Sequence, residues 1–383
     1  MKSKAKLPQS KRVMEDAATI KTSRESTPIL EPGPKRRRLE RIDSGPFIVL
    51  DEHGDLRLFV GAAHVDRPST YRVCSKALAR SSPVMERMIY GGSVGSPSSQ
   101  DPQSDRIIHF TDDEPAAMHL MLQIIHGDFR RIPQTMELQT LHNLVVIMDR
   151  YDTLSLTRPW VRSWLAGVRT SGDYGKLLSV ACMLGDIDLF NTTSARLIES
   201  CAIDEEGYLV VNSDIPASDP LGANTEEIRV ETAAHGVPES VFNNLEIRRA
   251  QRISEQVAPF RTLYKSLARG YCECRSTSSF TKEMSPRCRA LALGSLVQGL
   301  LEMGINVTMS NPNCAYRGSL SSLADQLDDL EILTGQNCDM YSHDECAQML
   351  KAAKHRQPTT VTYVESEVVM HLIHRGEDTG LLD

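Results

Sequence analysis

From residue 47 the chain alternates short β-rich runs with stretches at helical spacing, and that ordered mixture is what most restricts its fold. The segment FIVLDEHGDLRLFVG holds two such runs, residues 47–50 and 56–60, on either side of His53-Gly54-Asp55, which suits a tight hairpin. A third run, residues 71–73, follows Arg67-Pro68-Ser69. Residues 75–90 then place Leu78, Met85, Met88 and Ile89 on a surface broken at Ser81-Ser82-Pro83, which predicts two short helices meeting at a turn. After a polar loop over 91–105, Ile107, Ile108 and Phe110 predict another strand. Thr111-Asp112-Asp113-Glu114-Pro115 puts acids at a helix start with proline in the first turn, and Met118, Met121, Leu122 and Ile125 recur at helical spacing behind it. Further helices are predicted over 136–151 (Leu138, Leu141, Val145, Met148) and around 156–165, where Trp160, Val161 and Trp164 are core candidates.

Composition agrees with a folded, helix-rich α+β chain. Of 383 residues, 40% are hydrophobic and 24% charged, which excludes a wholly disordered or fibrous protein, while only 5% are aromatic, which disfavours an all-β one. The length exceeds what one core usually serves. The net charge of −7 conceals an asymmetry: residues 1–45 carry 12 Lys/Arg against 6 Asp/Glu, leaving −13 for the remainder. An acidic folded part repels phosphate, so a large nucleic-acid groove is not expected. The N-terminal residues are basic but hold no apolar stretch of signal-peptide length, and no run approaches 18 apolar residues, so neither secretion nor a membrane span is expected. Nine cysteines, an odd number, then read as thiols or metal ligands rather than a disulfide framework, in a protein of the nucleus or cytoplasm.

The order of these features resembles the BTB/POZ domain, and four patches carry the resemblance. DLRLFVG (55–61) is similar to the family's opening strand pair, and YRVCSKALARSSPVMERMI (71–89) to its short strand and helical hairpin. IIHFTDDEPAAMHLMLQIIHG (107–127) is similar to its strand, Asp-rich turn and following helix, and LHNLVVIMDRYDTLSL (141–156) to its late helix with a Lys/Arg-Tyr-Asp signature. Cys74 stands where many animal members have His, Met85 where they have Phe, and His126 falls in what is often an Ile-Tyr-Thr-Gly pattern. The spacing looks closest to divergent BTB-like proteins of filamentous fungi. The resemblance spans residues 47–165 and implies a small sheet packed on helices whose outer faces serve self-association or docking. The partners it implies are proteins: a second copy of the chain, a cullin scaffold or a transcriptional corepressor. The helix over 115–125 and the loop before it are surfaces where such a partner would be sought, although Met118, Leu122 and Ile125 equally have the spacing of a core stripe.

The remaining chain divides by texture. Residues 1–45 read as a disordered basic tail in which Lys35, Arg36, Arg37 and Arg38 form a candidate nuclear-import cluster. The BTB-like part occupies 46–165 and a helical extension 166–202, with helices predicted over 174–184 and 187–201. Residues 203–237 read as a linker with at most a short strand at 208–211. A helical C-terminal domain follows over 238–356: a long helix interrupted near Pro259, a helix over 287–303 closed by Gly304, a leucine-spaced helix at 320–333, and a capping box at Ser342 and Glu345. A C-terminal segment covers 357–383.

Two constellations raise the question of chemistry. Six of the nine cysteines fall after residue 270, and Cys272, Cys274, Cys288, Cys338, His343 and Cys346 are candidate ligands of a structural zinc that would staple helices; the alternative is inert buried thiols. Gly91-Gly92-Ser93-Val94-Gly95 spells a hydrolase elbow, but a helix precedes it and a Ser/Pro-rich loop follows, the reverse of what that strained turn requires. Walker A, dinucleotide-binding and H-E-x-x-H signatures are absent. The reading is therefore a non-enzymatic interaction module with no cofactor beyond that candidate zinc, a scaffold or adaptor in transcription-related assembly or ubiquitin-ligase recruitment. The alternatives are a zinc-stabilised nuclear regulator touching DNA through its tail, and an enzyme whose site would show as perturbed acids converging in one pocket.

Overall fold

Leu56, Leu58 and Val60 alternate with Arg57 and Phe59, and in the computed structural model this period of two becomes the inner and outer faces of a sheet. The structure describes residues 45–63, 68–91, 106–212, 227–269, 286–308, 316–333 and 366–382. Strands β1 (Phe47–Val49), β2 (Leu56–Val60), β3 (Ser69–Val73) and β4 (Ile107–Phe110) form this mixed sheet in the order β1-β3-β2-β4. β2 pairs antiparallel with β3 and parallel with β4, while β1 lies parallel to β3.

The expected hairpin between the first two runs does not form, because β3 lies between them. The chain after β1 crosses the end of β3: Leu50 and Asp51 donate backbone N–H groups to Arg72 O, and Arg72 Nε donates to Gly54 O at 3.0 Å. A Cβ on residue 54 would meet Val73 O at 2.7 Å, so glycine is what lets the loop pass this closely.

Helices α1 (Ser75–Ser81) and α2 (Pro83–Tyr90) meet at Ser82, whose hydroxyl caps α2 by accepting from Met85 N at 3.0 Å with Pro83 in the first turn. Helix α3 (Pro115–Ile125) is capped by Glu114, which accepts from Ala116 N and Ala117 N, and α4 (Leu138–Arg150) ends at the Arg-Tyr-Asp run. A 3-10 turn (Leu154–Thr157) leads to α5 (Val161–Val168), where Trp164 is fully buried and donates Nε1–H to Pro133 O at 2.8 Å. Helices α6 (Tyr174–Leu184) and α7 (Ile187–Ser200) are bounded by Asp173, Gly185 and Asp186, each at a capping position; Gly185 has a φ of +79°, a conformation that favours glycine. The sheet's inner face, α3, α4, α5 and the almost wholly buried α6 share one core, in which each fully buried large side chain contributes about 1.5–3 kcal/mol.

The stretch expected to be a linker carries structure of its own. Strands β5 (Ala202–Ile203), β6 (Leu209–Asn212) and β7 (Glu227–Arg229) make an antiparallel sheet, and α8 (Val230–Ala233) packs against α6. Strands of two to four residues are too short to show a periodicity, which is why only β6 was expected. The long helix α9 (Glu239–Ala268) contains Pro259, and α10 (Pro286–Glu302) is followed by Gly304 with φ +78°. Helix α11 (Leu320–Asp329) stops before Leu330. Ile253, Val257, Phe260, Leu296, Leu300, Leu323 and Leu327 join these three helices in a second core. A last helix, α12 (Ser366–Thr379), returns to the first core, contributing Val368 and Leu372. Among the described residues no helix is long and apolar enough to cross a membrane.

Candidate interaction surface

The register of the first sheet sets two rows of side chains on its outer face: Phe47, Thr70, Phe59 and His109 in one, Val49, Arg72, Arg57 and Ile107 in the other. Phe47 is 53% exposed, Val49 46% and Ile107 45%, so this face presents large apolar groups to solvent where the inner face buries Leu58 and Tyr71 almost completely. The Arg57 guanidinium lies 5.6 Å from the Phe47 ring centroid and His109 meets the Phe59 ring edge-on at 5.4 Å, contacts that hold the aromatic rings in place. At both margins, β1 and β4, the outer edge has no strand partner among the described residues. The exposed apolar side chains thus stand on the two edge strands, with Arg72 and Arg57 between them on the central ones, a solvent-facing surface of mixed apolar and cationic character.

Behind this face a set of buried and part-buried polar contacts holds the elements in register. Asp113, only 3% exposed, accepts from Arg150 and from the Tyr151 hydroxyl, and burial together with that bond to Asp113 pushes the Tyr151 phenol well above its usual value. Ser82 Oγ donates to Tyr151 O at 2.5 Å, and Tyr71 OH donates to Pro115 O at 2.9 Å. Asp55 accepts from Ser75 N at 2.8 Å and Ser75 Oγ at 2.6 Å; burial works against its charge, but the Ser75 bonds outweigh it and the carboxyl is held below the usual range. Strand pair, helical hairpin, Asp-rich turn and the end of α4 are thus tied to one another by side-chain hydrogen bonds.

Helix α3 is not a free surface. Met118, Met121 and Leu122 are fully enclosed and Ile124 and Ile125 nearly so, which makes its stripe core; the sequence signal that could have separated the two readings was the breadth of the stripe, apolar on almost every side.

The candidate import residues Lys35, Arg36, Arg37 and Arg38 lie outside the described residues, as do Ser93 and the zinc candidates Cys272, Cys274, Cys338, His343 and Cys346; of Cys288 only the backbone, in the first turn of α10, is described. Among the described residues no cluster of three or more His, Cys, Asp or Glu is arranged to hold a metal. The described cysteines are free thiols, and burial pushes Cys182 and Cys201 up to about 12, where a thiol is inert.

A cavity of about 530 Å³ beside α8 and the start of α9 gathers Glu206, Glu231, Glu239 and Glu246 with Tyr208 and Phe242. Burial and the charge of Glu231 hold the Glu246 carboxyl above the usual range. At the cavity's margin Arg229 pairs with Asp204 at 2.8 Å and Glu206 at 2.5 Å and lies 4.3 Å over the Tyr208 ring. The lining includes no histidine, cysteine or lysine, and the cation that meets its acids is Arg229, through Glu206.

Comparison with protein-family models finds none that matches the chain, and comparison with curated proteins finds no significant match.

Proposed function

We propose that this chain is a non-enzymatic protein-interaction module of BTB/POZ type that recruits other proteins through the outer face of its first sheet. The observation that carries the reading is that the four sequence patches which resemble that family are neighbours bonded to one another: Asp55 to Ser75, Ser82 to Tyr151, and Asp113 to Arg150 and Tyr151. Resemblances scattered by chance along a sequence have no reason to meet through side-chain bonds whose acceptors and donors include the buried Ser75, Ser82, Asp113 and Tyr151. The departures support it as well. The backbone N–H of Cys74 donates to His126 Nε2 at 3.1 Å, which leaves Nδ1 to donate to Leu122 O at 2.8 Å, so the unusual His126 ties the start of α1 to the end of α3, while Met85 fills a core position at 1% exposure.

In this reading the chain serves as a scaffold or adaptor, in transcription-related assembly or in substrate recruitment to a ubiquitin ligase, and acts in the nucleus or cytoplasm. The test is affinity capture from cell extract with the full chain and with a Phe47→Lys/Ile107→Lys variant, alongside light-scattering mass measurement. Retention of a cullin scaffold, a corepressor or a second copy by the parent and its loss from the folded variant is the expected result. A parent chain that stays a solitary monomer and retains nothing, or a variant that retains the same partners, overturns the proposal.

A further inference from the structure

Helix α12 reaches the first core from far along the sequence and lies against α6, α7 and the Leu154–Thr157 turn. Of its side chains only two large apolar ones, Val368 and Leu372, are buried, whereas Met370 is 64% exposed. Most of its fastening is polar and directed at its main chain. Arg158 Nε donates to Asp378 O at 3.0 Å and its Nη2 to Glu377 O at 2.5 Å, while Arg162 Nη2 reaches Gly380 O at 3.1 Å and Leu381 O at 3.3 Å. Two arginines thereby satisfy carbonyls at and beyond the helix C-terminus, where the helix dipole is negative. Arg375 Nη2 donates to Asp149 Oδ1 at 2.6 Å and Thr379 Oγ1 to Leu184 O at 2.7 Å. At the crossing with α6 the backbones touch: a Cβ on Gly185 would come within 2.1 Å of Gly376 N.

These features describe a seat that reads a helix by register, with Leu372 as a knob, Arg375 three residues on for the Asp149 carboxylate, Gly376 for the notch, and two guanidinium groups at the carbonyl end. They also describe a weak attachment. The Arg158 and Arg162 contacts are solvent-exposed and screened by salt, and three buried side chains, Val368, Leu372 and Thr379, compare with an α6 that is buried almost throughout. We infer that α12 is a releasable clasp: the groove it fills is a helix-docking site occupied by the chain's own C-terminal helix, which leaves and returns while the core beneath stays folded. This inference is independent of the role proposed for the sheet face.

The test uses the full chain, with hydrogen exchange read by mass spectrometry and a labelled synthetic peptide of residues 366–382 offered as a competitor. Amides of 366–382 are expected to exchange about a hundredfold faster than those of α6, through an opening insensitive to denaturant. The labelled peptide is expected to enter the chain at the rate of that opening, faster in an Arg158→Gln/Arg162→Gln variant, and a Gly376→Leu peptide is expected not to enter. If 366–382 opens only together with α6, α12 is a fixed part of the core and the inference is wrong. Equal binding of the native and Gly376→Leu peptides would place the competitor outside this groove and overturn it too.

Discussion

The two cores of this molecule are held together on different principles. In the first, segments separated by 37 to 195 residues are joined by buried and part-buried side-chain bonds: Asp113 to Arg150 and Tyr151, Ser82 to the Tyr151 carbonyl, Thr379 to Leu184. The second is mainly a contact of leucine, isoleucine, valine and phenylalanine from α9, α10 and α11, joined by Ile305, Val307 and Tyr316 from the segments between α10 and α11. Its buried polar residue is Arg249, which sits at the seam, donating to Cys201 O at 3.3 Å, Tyr316 O at 3.4 Å and Gly318 O. A core of polar cross-links tolerates few arrangements and suits a face that must stay in shape to be recognised; a core of interchangeable aliphatics specifies less.

Cavity substitutions separate the cores most strongly. Trp164→Ala, which empties a fully enclosed site and strands the Pro133 carbonyl, is expected to cost about 3–5 kcal/mol and to unfold the first core. Leu296→Ala is expected to cost about 2–5 kcal/mol and to increase hydrogen exchange in α10 and α11 while α4 and α6 remain protected. Chemical denaturation with exchange mass spectrometry distinguishes the two; equal loss of protection everywhere after Leu296→Ala would mean that the cores are one cooperative unit.

Polar deletions sharpen the contrast. Asp113→Ala leaves the Tyr151 hydroxyl buried without its acceptor, and a cost of about 2–4 kcal/mol is expected in a urea titration. Arg150 is 45% exposed, so little of that cost comes from the ion pair itself. Arg249→Met removes the donor to three carbonyls at the seam and is expected to cost about 1–3 kcal/mol. Its signature is qualitative: a single calorimetric transition splitting into two, because Ile203 N to Arg317 O and Ser321 Oγ to Glu199 O remain the main polar ties between the parts.

How much of this was legible in the sequence follows from how local each cause is. The ends of α6 and α7 could be read because Asp173, Gly185 and Asp186 act on backbone groups a few residues away. The break between α1 and α2 was legible in Ser82-Pro83 for the same reason. Strand partnership was not, since residues 47–50 and 56–60 satisfy a hairpin as well as they satisfy flanking β3, and what decides is the distant Arg72. Nor was the exposed face: Phe47, Ile48 and Val49 are all apolar, so alternation says nothing about which side is outward. Helix α12 passed unnoticed because its buried positions, Val368, Leu372, Gly376 and Thr379, keep helical spacing but only the first two are large and apolar, while the apolar Val369, Met370 and Ile373 between them blur the period.

The smallest expected effect is a dependence on pH that belongs to the first core. Burial, the main cause in each case, holds His119, His142 and His371 below the usual imidazole value, and all three lie in or against that core. The unfolded chain binds these protons more readily than the folded one. Stability is therefore complete above about pH 6.5 and declines as pH falls below it, by a total on the order of 1 kcal/mol, since each histidine as a residue is only partly buried. Glu246 acts in the opposite sense, because its raised value means that protonation relieves a penalty present at neutral pH. The chain's two tryptophans, Trp160 and Trp164, both belong to the first core, so fluorescence-detected urea titrations report on it selectively. The midpoint is expected to fall between about pH 7.5 and about pH 5.5, while exchange in α10 and α11 under the same conditions stays level. A midpoint that holds steady across that range would mean the three rings meet water or a proton-stabilising partner in the folded chain, and the first core would then owe its cohesion to Asp113 and its partners without a desolvation penalty at these histidines.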